Sequence, residues 1–285
     1  MNVMRCDSHI HVVGPPEQYP QVANRTYLAP SAALSDVERL GAARGVRRFV
    51  IVQPSFYGTD NTLLLESLDA LQGRGRGVAV VDPETISRVG IVSFNRRGVR
   101  GLRINLYSPL GQNMSLQDRF DAIERLAQNL NWHIEVIAPL KILAQEVDLL
   151  ARAIVPVVID HYGLYTGFTP NRAEGRALIE LVRLPHVWMK LSAPYRSSYD
   201  PLATRPDPIW MAELLKVAPA RCVWGSDWPH TPPHEKQGDA AALLPYRPLA
   251  YETVVDEFCA AVGSAELCER ILSVNPAKLY GFPEP

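Results

Sequence analysis

The sequence predicts an α/β fold, a (β/α)8 barrel forming one domain over residues 1–285. Three observations carry that expectation. Eight short β-rich runs alternate with longer helical patterns from one end of the chain to the other. Several runs are almost continuously apolar, such as Phe49-Val50-Ile51-Val52 and Val155-Pro156-Val157-Val158-Ile159, as strands buried on both faces require. The first run leads into Val12-Val13-Gly14-Pro15-Pro16, which lacks the Gly-rich phosphate loop usual in an open doubly wound sheet.

Taken in order, the expected strands are Arg5–His11, Arg48–Gln53, Gly77–Val81, Gly101–Asn105, His133–Ile137, Val157–Asp160, Val187–Leu191 and Cys222–Trp224. Helical patterns lie between them. Ser35-Asp36-Val37-Glu38 reads as a capping box, followed by an apolar face at Leu40, Ala43 and Val46. Ser115 is placed to cap a helix whose apolar face carries Leu116, Phe120, Ile123, Ala127 and Leu130. Further helices are expected over Leu140–Ala153, Arg172–Arg183 and Pro208–Ala218, the last opening on a proline that a first turn tolerates. Gly73-Arg74-Gly75-Arg76-Gly77 reads as a turn before the third strand.

Composition narrows the function classes. Of 285 residues, 47% are hydrophobic and 21% charged, so the chain can bury a substantial core and is not a disordered tract. A formal net charge of −1 gives no overall attraction to nucleic acid or to an acidic membrane surface. No run approaches the ~18 apolar residues of a membrane span, and the first residues carry no leader pattern, so a cytoplasmic location is expected. Cys6, Cys222, Cys259 and Cys268 show no CxxC spacing and read as free thiols, with a Cys259–Cys268 disulfide as the alternative. The sequence leaves a homo-oligomer open.

The chemistry-bearing residues fall at expected strand ends. His9 and His11 are two apart on the first strand, so alternation points both to one face. There they can bind a metal together or polarise a carbonyl oxygen. Asp227 follows a buried strand and a small Gly225-Ser226 step, where a barrel places catalytic groups and where a carboxylate can act as a base. His161 follows the sixth strand in Asp160-His161-Tyr162-Gly163. Arg103 and Asn105 share one face of the fourth strand, and an inward Arg seeks a planar anion. Arg196 lies just past the seventh strand, and Ser55 and Tyr57 just past the second. His133 and Glu135 share a face of the fifth, so Glu135 is a further candidate for a metal site or for a hydrogen bond to a histidine. His186, His230 and His234 read as structural or surface residues, His230 the least clearly so.

These stretches resemble the amidohydrolase superfamily, in the branch that includes 2-pyrone-4,6-dicarboxylate lactonase. The matching segments are Asp7-Ser8-His9-Ile10-His11, Phe49–Ser55 with Gly58–Asn61, Gly98–Asn105, Val158–Gly163, Trp188–Ser192 with Tyr195-Arg196, and Trp224–His230. The tail Asn275–Phe282 is also similar. The resemblance implies a distorted barrel that hydrolyses a carboxylate-bearing lactone, in keeping with aromatic-compound catabolism. It implies that Asp227 activates water, that His9, His11 and His161 polarise the carbonyl, and that Arg103, Arg196, Ser55 and Tyr27 hold substrate carboxylates. It further implies that no metal is required.

One departure qualifies the match. Leu106-Tyr107-Ser108-Pro109-Leu110 lacks the second basic residue expected for a dicarboxylate, which favours a lactone with one carboxylate or one derived from a sugar. Two other readings stand beside the lactonase. The first is an amidohydrolase or decarboxylase with one divalent ion, Zn or Mn, on His9, His11, His161 and Asp227. Against a two-metal centre, the fourth strand offers Arg103 and no bridging lysine. The second is a barrel that binds a small molecule without catalysis.

Overall fold

The computed structural model describes residues 4–107, 115–232 and 242–283. His234 and the segment Ser108-Pro109-Leu110 lie outside them. The eight strands are β1 (Arg5–Ile10), β2 (Val46–Val52), β3 (Gly75–Ala79), β4 (Val99–Asn105), β5 (His133–Ile137), β6 (Val157–Ile159), β7 (Val187–Ser192) and β8 (Cys222–Gly225). They pair in chain order, each parallel to the next. The ring closes between the last and the first, where Asp227 N–H donates to His9 O at 2.9 Å and His11 N–H donates to Trp228 O at 2.8 Å. The expected (β/α)8 barrel is therefore the observed fold.

Strand ends differ from the expected ones by no more than two residues. The largest shift is at β3, which begins inside the expected turn. A Cβ on Gly75 would meet Leu71 Cδ1 at 2.7 Å and one on Gly77 would meet Leu64 Cδ2 at 2.9 Å. The glycines thus let the helix Thr62–Ala70 and the residues after it lie flush on the strand.

The helices correct the expectations in two places. Ser35 is not a cap: the helix Leu34–Ala42 starts two residues earlier than that cap implies, with Ala33 at its N-cap and no side-chain bond. Paired backbone bonds between Val13 and Ala32 pin the chain just before that point, and they set the start. The stretch expected as one helix over 140–153 is two, Leu140–Gln145 and Val147–Ala151, which meet at a non-helical Glu146. Ser115 does cap its helix, accepting from Asp118 N–H at 3.1 Å. Asp207 caps Pro208–Val217 by accepting from the Ile209 and Trp210 N–H groups.

Two apolar layers hold the fold. Outside the sheet, residues such as Phe49, Leu68, Ile134, Leu178 and Trp210 are buried between strands and helices. Inside it, Cys6, Val50, Val78, Val158, Trp188 and Val223 pack with Tyr280 and Phe282 from the tail. Arg76 fastens that tail, donating from Nε to Tyr280 O at 3.0 Å and from Nη2 to Gly281 O at 2.8 Å, with its guanidinium 4.2 Å from the Phe282 ring centroid. The tail therefore fills one end of the barrel and leaves the other for chemistry. All four cysteines are free thiols, so the Cys259–Cys268 bond is not formed. Among the described residues no helix is long and apolar enough to cross a membrane.

Candidate active site

The site is built at the C-terminal ends of β1, β6, β7 and β8 and in the turns just beyond them. Four residues of β1, from Asp7 to Ile10, span three of β2, from Phe49 to Ile51. This bulge changes the phase of the strand: Cys6 faces the inner core, yet His9 and His11 also reach the interior. Their ring planes are nearly perpendicular, with centroids 5.0 Å apart. Asp7 anchors the segment from behind, accepting from His9 N–H, Ser226 N–H and the Tyr251 hydroxyl.

Left-handed backbone aims the remaining groups. His161 (φ 51°), Ala193 (φ 49°), Asp227 (φ 60°) and His230 (φ 68°) all lie just past β6, β7 or β8. Non-glycine residues pay about 1–3 kcal/mol each for such conformations, which concentrate where a fold over-determines a functional site. Ser197 helps hold the first of these turns by donating from its hydroxyl to His161 O at 2.8 Å.

The carboxylate of Asp227 is fully buried and has two different edges. Oδ2 accepts from the Tyr195 hydroxyl at 2.6 Å and from Arg196 Nε at 2.7 Å. Oδ1 has no hydrogen-bond partner among the described residues. It faces three imidazole nitrogens, His9 Nε2 at 3.4 Å, His11 Nε2 at 3.5 Å and His161 Nε2 at 3.9 Å. Burial pushes this carboxyl up, but Arg196 and the imidazoles outweigh it and hold it well below the usual range. Burial drives His161 down to about 4 and His9 well below its ordinary value, the Lys190 charge adding to the latter, so both rings are neutral.

Arg196 spends Nε on Asp227 and Nη2 on the Thr231 hydroxyl at 2.6 Å, while Nη1 is buried without a hydrogen-bond partner among the described residues. Arg103 donates from Nη1 to Gln53 O at 3.1 Å and lies 3.5 Å from Asp160 Oδ2. Tyr27, Ser55, Arg103 and Arg196 line one small pocket with His11, His161 and Asp227. Ser55 and Arg103 also line an adjoining cavity of about 400 Å³, and Asn105 sits on its wall. Asn105 thus stands one step out from the imidazoles, its Oδ1 accepting from Tyr107 N–H.

Several groups at the site were not singled out in the sequence. Tyr195 touches Asp227, and His230, read from the sequence as a structural or surface residue, has its Nδ1 3.5 Å from the Tyr195 hydroxyl. Arg247, from the long connection after β8, stacks 4.7 Å above the Tyr195 ring. Lys190, completely buried on β7, lies beneath the imidazoles. It donates to Glu135 Oε2 and to His9 Nδ1 and pairs with Asp160 Oδ1 at 3.1 Å. Glu135 is therefore placed against Lys190, with Oε1 3.9 Å from His9 Nδ1. Alternation of Trp188, Lys190 and Ser192 along an apolar strand was the available signal for an inward lysine.

The donor set can be tested against a metal. Ligand atoms of His9, His11 and Asp227 lie within 4.8 Å of one another. A ligating imidazole offers one nitrogen to the ion and donates its other N–H to an acceptor. His11 meets this, with Nδ1 at 2.7 Å from Val52 O. His9 does not, because its Nδ1 faces the ammonium of Lys190 at 3.2 Å, a group with no lone pair. The pair as arranged does not fit a metal held by both imidazoles.

Polar side chains that converge past the C-terminal ends of barrel strands onto one buried carboxylate define a (β/α)8 enzyme. The chain belongs to the amidohydrolase family, whose profile matches residues 6–282. It is 29% identical to a 4-sulfomuconolactone hydrolase of Rhizobium radiobacter, over 96% of this chain and 89% of that one. It is 28% identical to a 2-pyrone-4,6-dicarboxylate hydrolase of Comamonas testosteroni, over 98% and 90% respectively. Among solved structures, a probable 2-pyrone-4,6-dicarboxylic acid hydrolase of Acinetobacter baumannii with citric acid bound superposes with a TM-score of 0.80. That match has 28% identity and covers 99% of this chain and 100% of the other.

Proposed function

We propose that this protein is a hydrolase of cyclic esters that opens a lactone bearing a carboxylate. The observation that carries the reading is the two-edged Asp227, with Oδ2 held by Tyr195 and Arg196 and Oδ1 turned toward three imidazoles. The lactone-hydrolase names of relatives matched over almost the whole chain support it.

In this reaction a water molecule lies against Asp227 Oδ1. Its proton passes to Asp227 as its oxygen bonds to the lactone carbonyl carbon. Arg196 weakens Asp227 as a base, so the transfer proceeds together with addition, when the water proton has become acidic. Imidazole N–H groups stabilise the charge that develops on the carbonyl oxygen. The ring C–O bond then breaks, and Asp227 returns its proton to the leaving oxygen. Arg196 Nη1 and Arg103 orient the substrate carboxylate, with Tyr27 and Ser55 beside it.

A pH-indicator assay across lactones with no, one and two carboxylates tests the proposal. Ring opening of a carboxylated lactone at least tenfold faster, in kcat/KM, than of its uncharged analogue is expected. Failure to open any member of the panel would sink the reading.

A further inference from the structure

The histidine pair of β1 looks symmetrical in sequence and is not symmetrical in its surroundings. His11 Nδ1 faces Val52 O at 2.7 Å, and a carbonyl can only accept. Its proton therefore sits on Nδ1, leaving a bare lone pair on Nε2. His9 Nδ1 faces Lys190 Nζ at 3.2 Å. Lys190 has Glu135 and Asp160 as its other partners, and an ammonium held by two carboxylates has only protons to offer. His9 Nδ1 accepts, and a neutral ring that accepts on Nδ1 carries its proton on Nε2. The two Nε2 atoms, 3.4 Å apart, are then a donor facing an acceptor.

We propose that Lys190 is a positioning residue that fixes His9 in the Nε2–H tautomer, so that the β1 pair is one hydrogen-bond donor and one acceptor rather than two metal ligands. The resulting division of labour rests on the lactone reading. His9 Nε2–H donates to the substrate carbonyl oxygen. His11 Nε2 accepts from the attacking water alongside Asp227 Oδ1. The competing tautomer is also within reach, since His9 Nδ1 lies 3.5 Å from Asp160 Oδ1, the same oxygen that pairs with Lys190. Without the Lys190 ammonium, His9 Nδ1–H would donate there and free Nε2 to ligate.

The test needs no turnover and so separates this inference from the proposed reaction. Long-range ¹H–¹⁵N correlation spectra of the full-length protein labelled at histidine report each ring's tautomer, and His9→Asn and His11→Asn variants assign the peaks. His9 protonated on Nε2 and His11 on Nδ1 are expected. His9 protonated on Nδ1 in the wild type would overturn the inference. A Lys190→Met, Glu135→Gln double variant removes the ammonium without stranding the Glu135 charge. In it His9 should move to Nδ1–H, and zinc affinity by calorimetry should rise about tenfold or more. A folded double variant with unchanged tautomer and zinc affinity would also overturn it, and the wild-type spectrum decides alone if the variant does not fold.

Discussion

Arg196 donates from Nε to Asp227 Oδ2 at 2.7 Å, on the carboxylate edge turned away from the imidazoles. Together with the Tyr195 hydroxyl it fixes the plane of the carboxylate and leaves Oδ1 as the edge that faces the imidazoles. Asparagine can keep those two contacts through its amide oxygen but cannot take a proton from water. Asp227→Asn should therefore keep its melting temperature within a few degrees and lose about 10²–10⁴ in kcat, the usual worth of a general base. Steady-state kinetics beside thermal melts would check this, and near-normal turnover would refute the role.

Acid should weaken both fold and activity through the buried histidines. Burial holds His161 and His230 down to about 4, against an ordinary value of about 6.5. The unfolded chain therefore takes up protons first, and stability falls as pH drops from 6.5 through 4. Asp7 has the opposite sign: burial raises it to about 6, so it adds stability as pH falls from 6 toward its ordinary value. Melts between pH 7 and 4 should show a falling Tm, falling more steeply in Asp7→Asn. The kcat profile should descend with a group near pH 4.

Gly225 sets how closely β8 approaches β1. A Cβ there would lie 2.5 Å from His9 Cβ and 2.8 Å from His9 N, so the histidine backbone must move. Gly225→Ala should cost about 1–3 kcal/mol in denaturant unfolding. A displacement of His9 by an ångström should lower kcat by up to about 100-fold. A variant with altered stability and unchanged kcat would show that His9 tolerates the shift.

Arg247 supplies a positive group where the sequence offered none for a second anion. It stands over Tyr195, next to Arg196. Arg247→Met should raise KM about tenfold, a loss of ~1.4 kcal/mol, for lactones with two anionic groups. It should leave the KM of a monocarboxylated lactone nearly unchanged. Equal effects on both would assign Arg247 to the packing of Tyr195 alone.

The barrel was legible because Phe49–Val52 of β2 and Val157–Ile159 of β6 are continuous apolar runs that alternate with helical patterns, as strands buried on both faces do. His9, His11, His161 and Asp227 were legible as a group for a different reason: the two-residue spacing puts His9 and His11 on one face of β1, His161 and Asp227 follow β6 and β8, and a parallel barrel gathers those ends. The features that stayed hidden depend on partners distant in sequence. Alternation alone could not reveal the bulge between Asp7 and Ile10. Nothing local to His9 says that Lys190, 181 residues away, stands behind it. Arg247 lies on a connection with no periodicity, so its approach to Tyr195 is a tertiary fact. Ser35 misled because a valid local cap was overridden by the Val13–Ala32 pairing.

The tail that Arg76 holds under the barrel has a consequence for traffic. With Tyr280 and Phe282 packed against the inner residues of the sheet, the interior is closed at that end among the described residues. On the lactone reading, reactant and product would both pass through the opposite end, where Tyr27 and Arg196 line the pocket. Departure and arrival would then be the same event run in opposite directions, each leaving molecule obstructing the one waiting to enter.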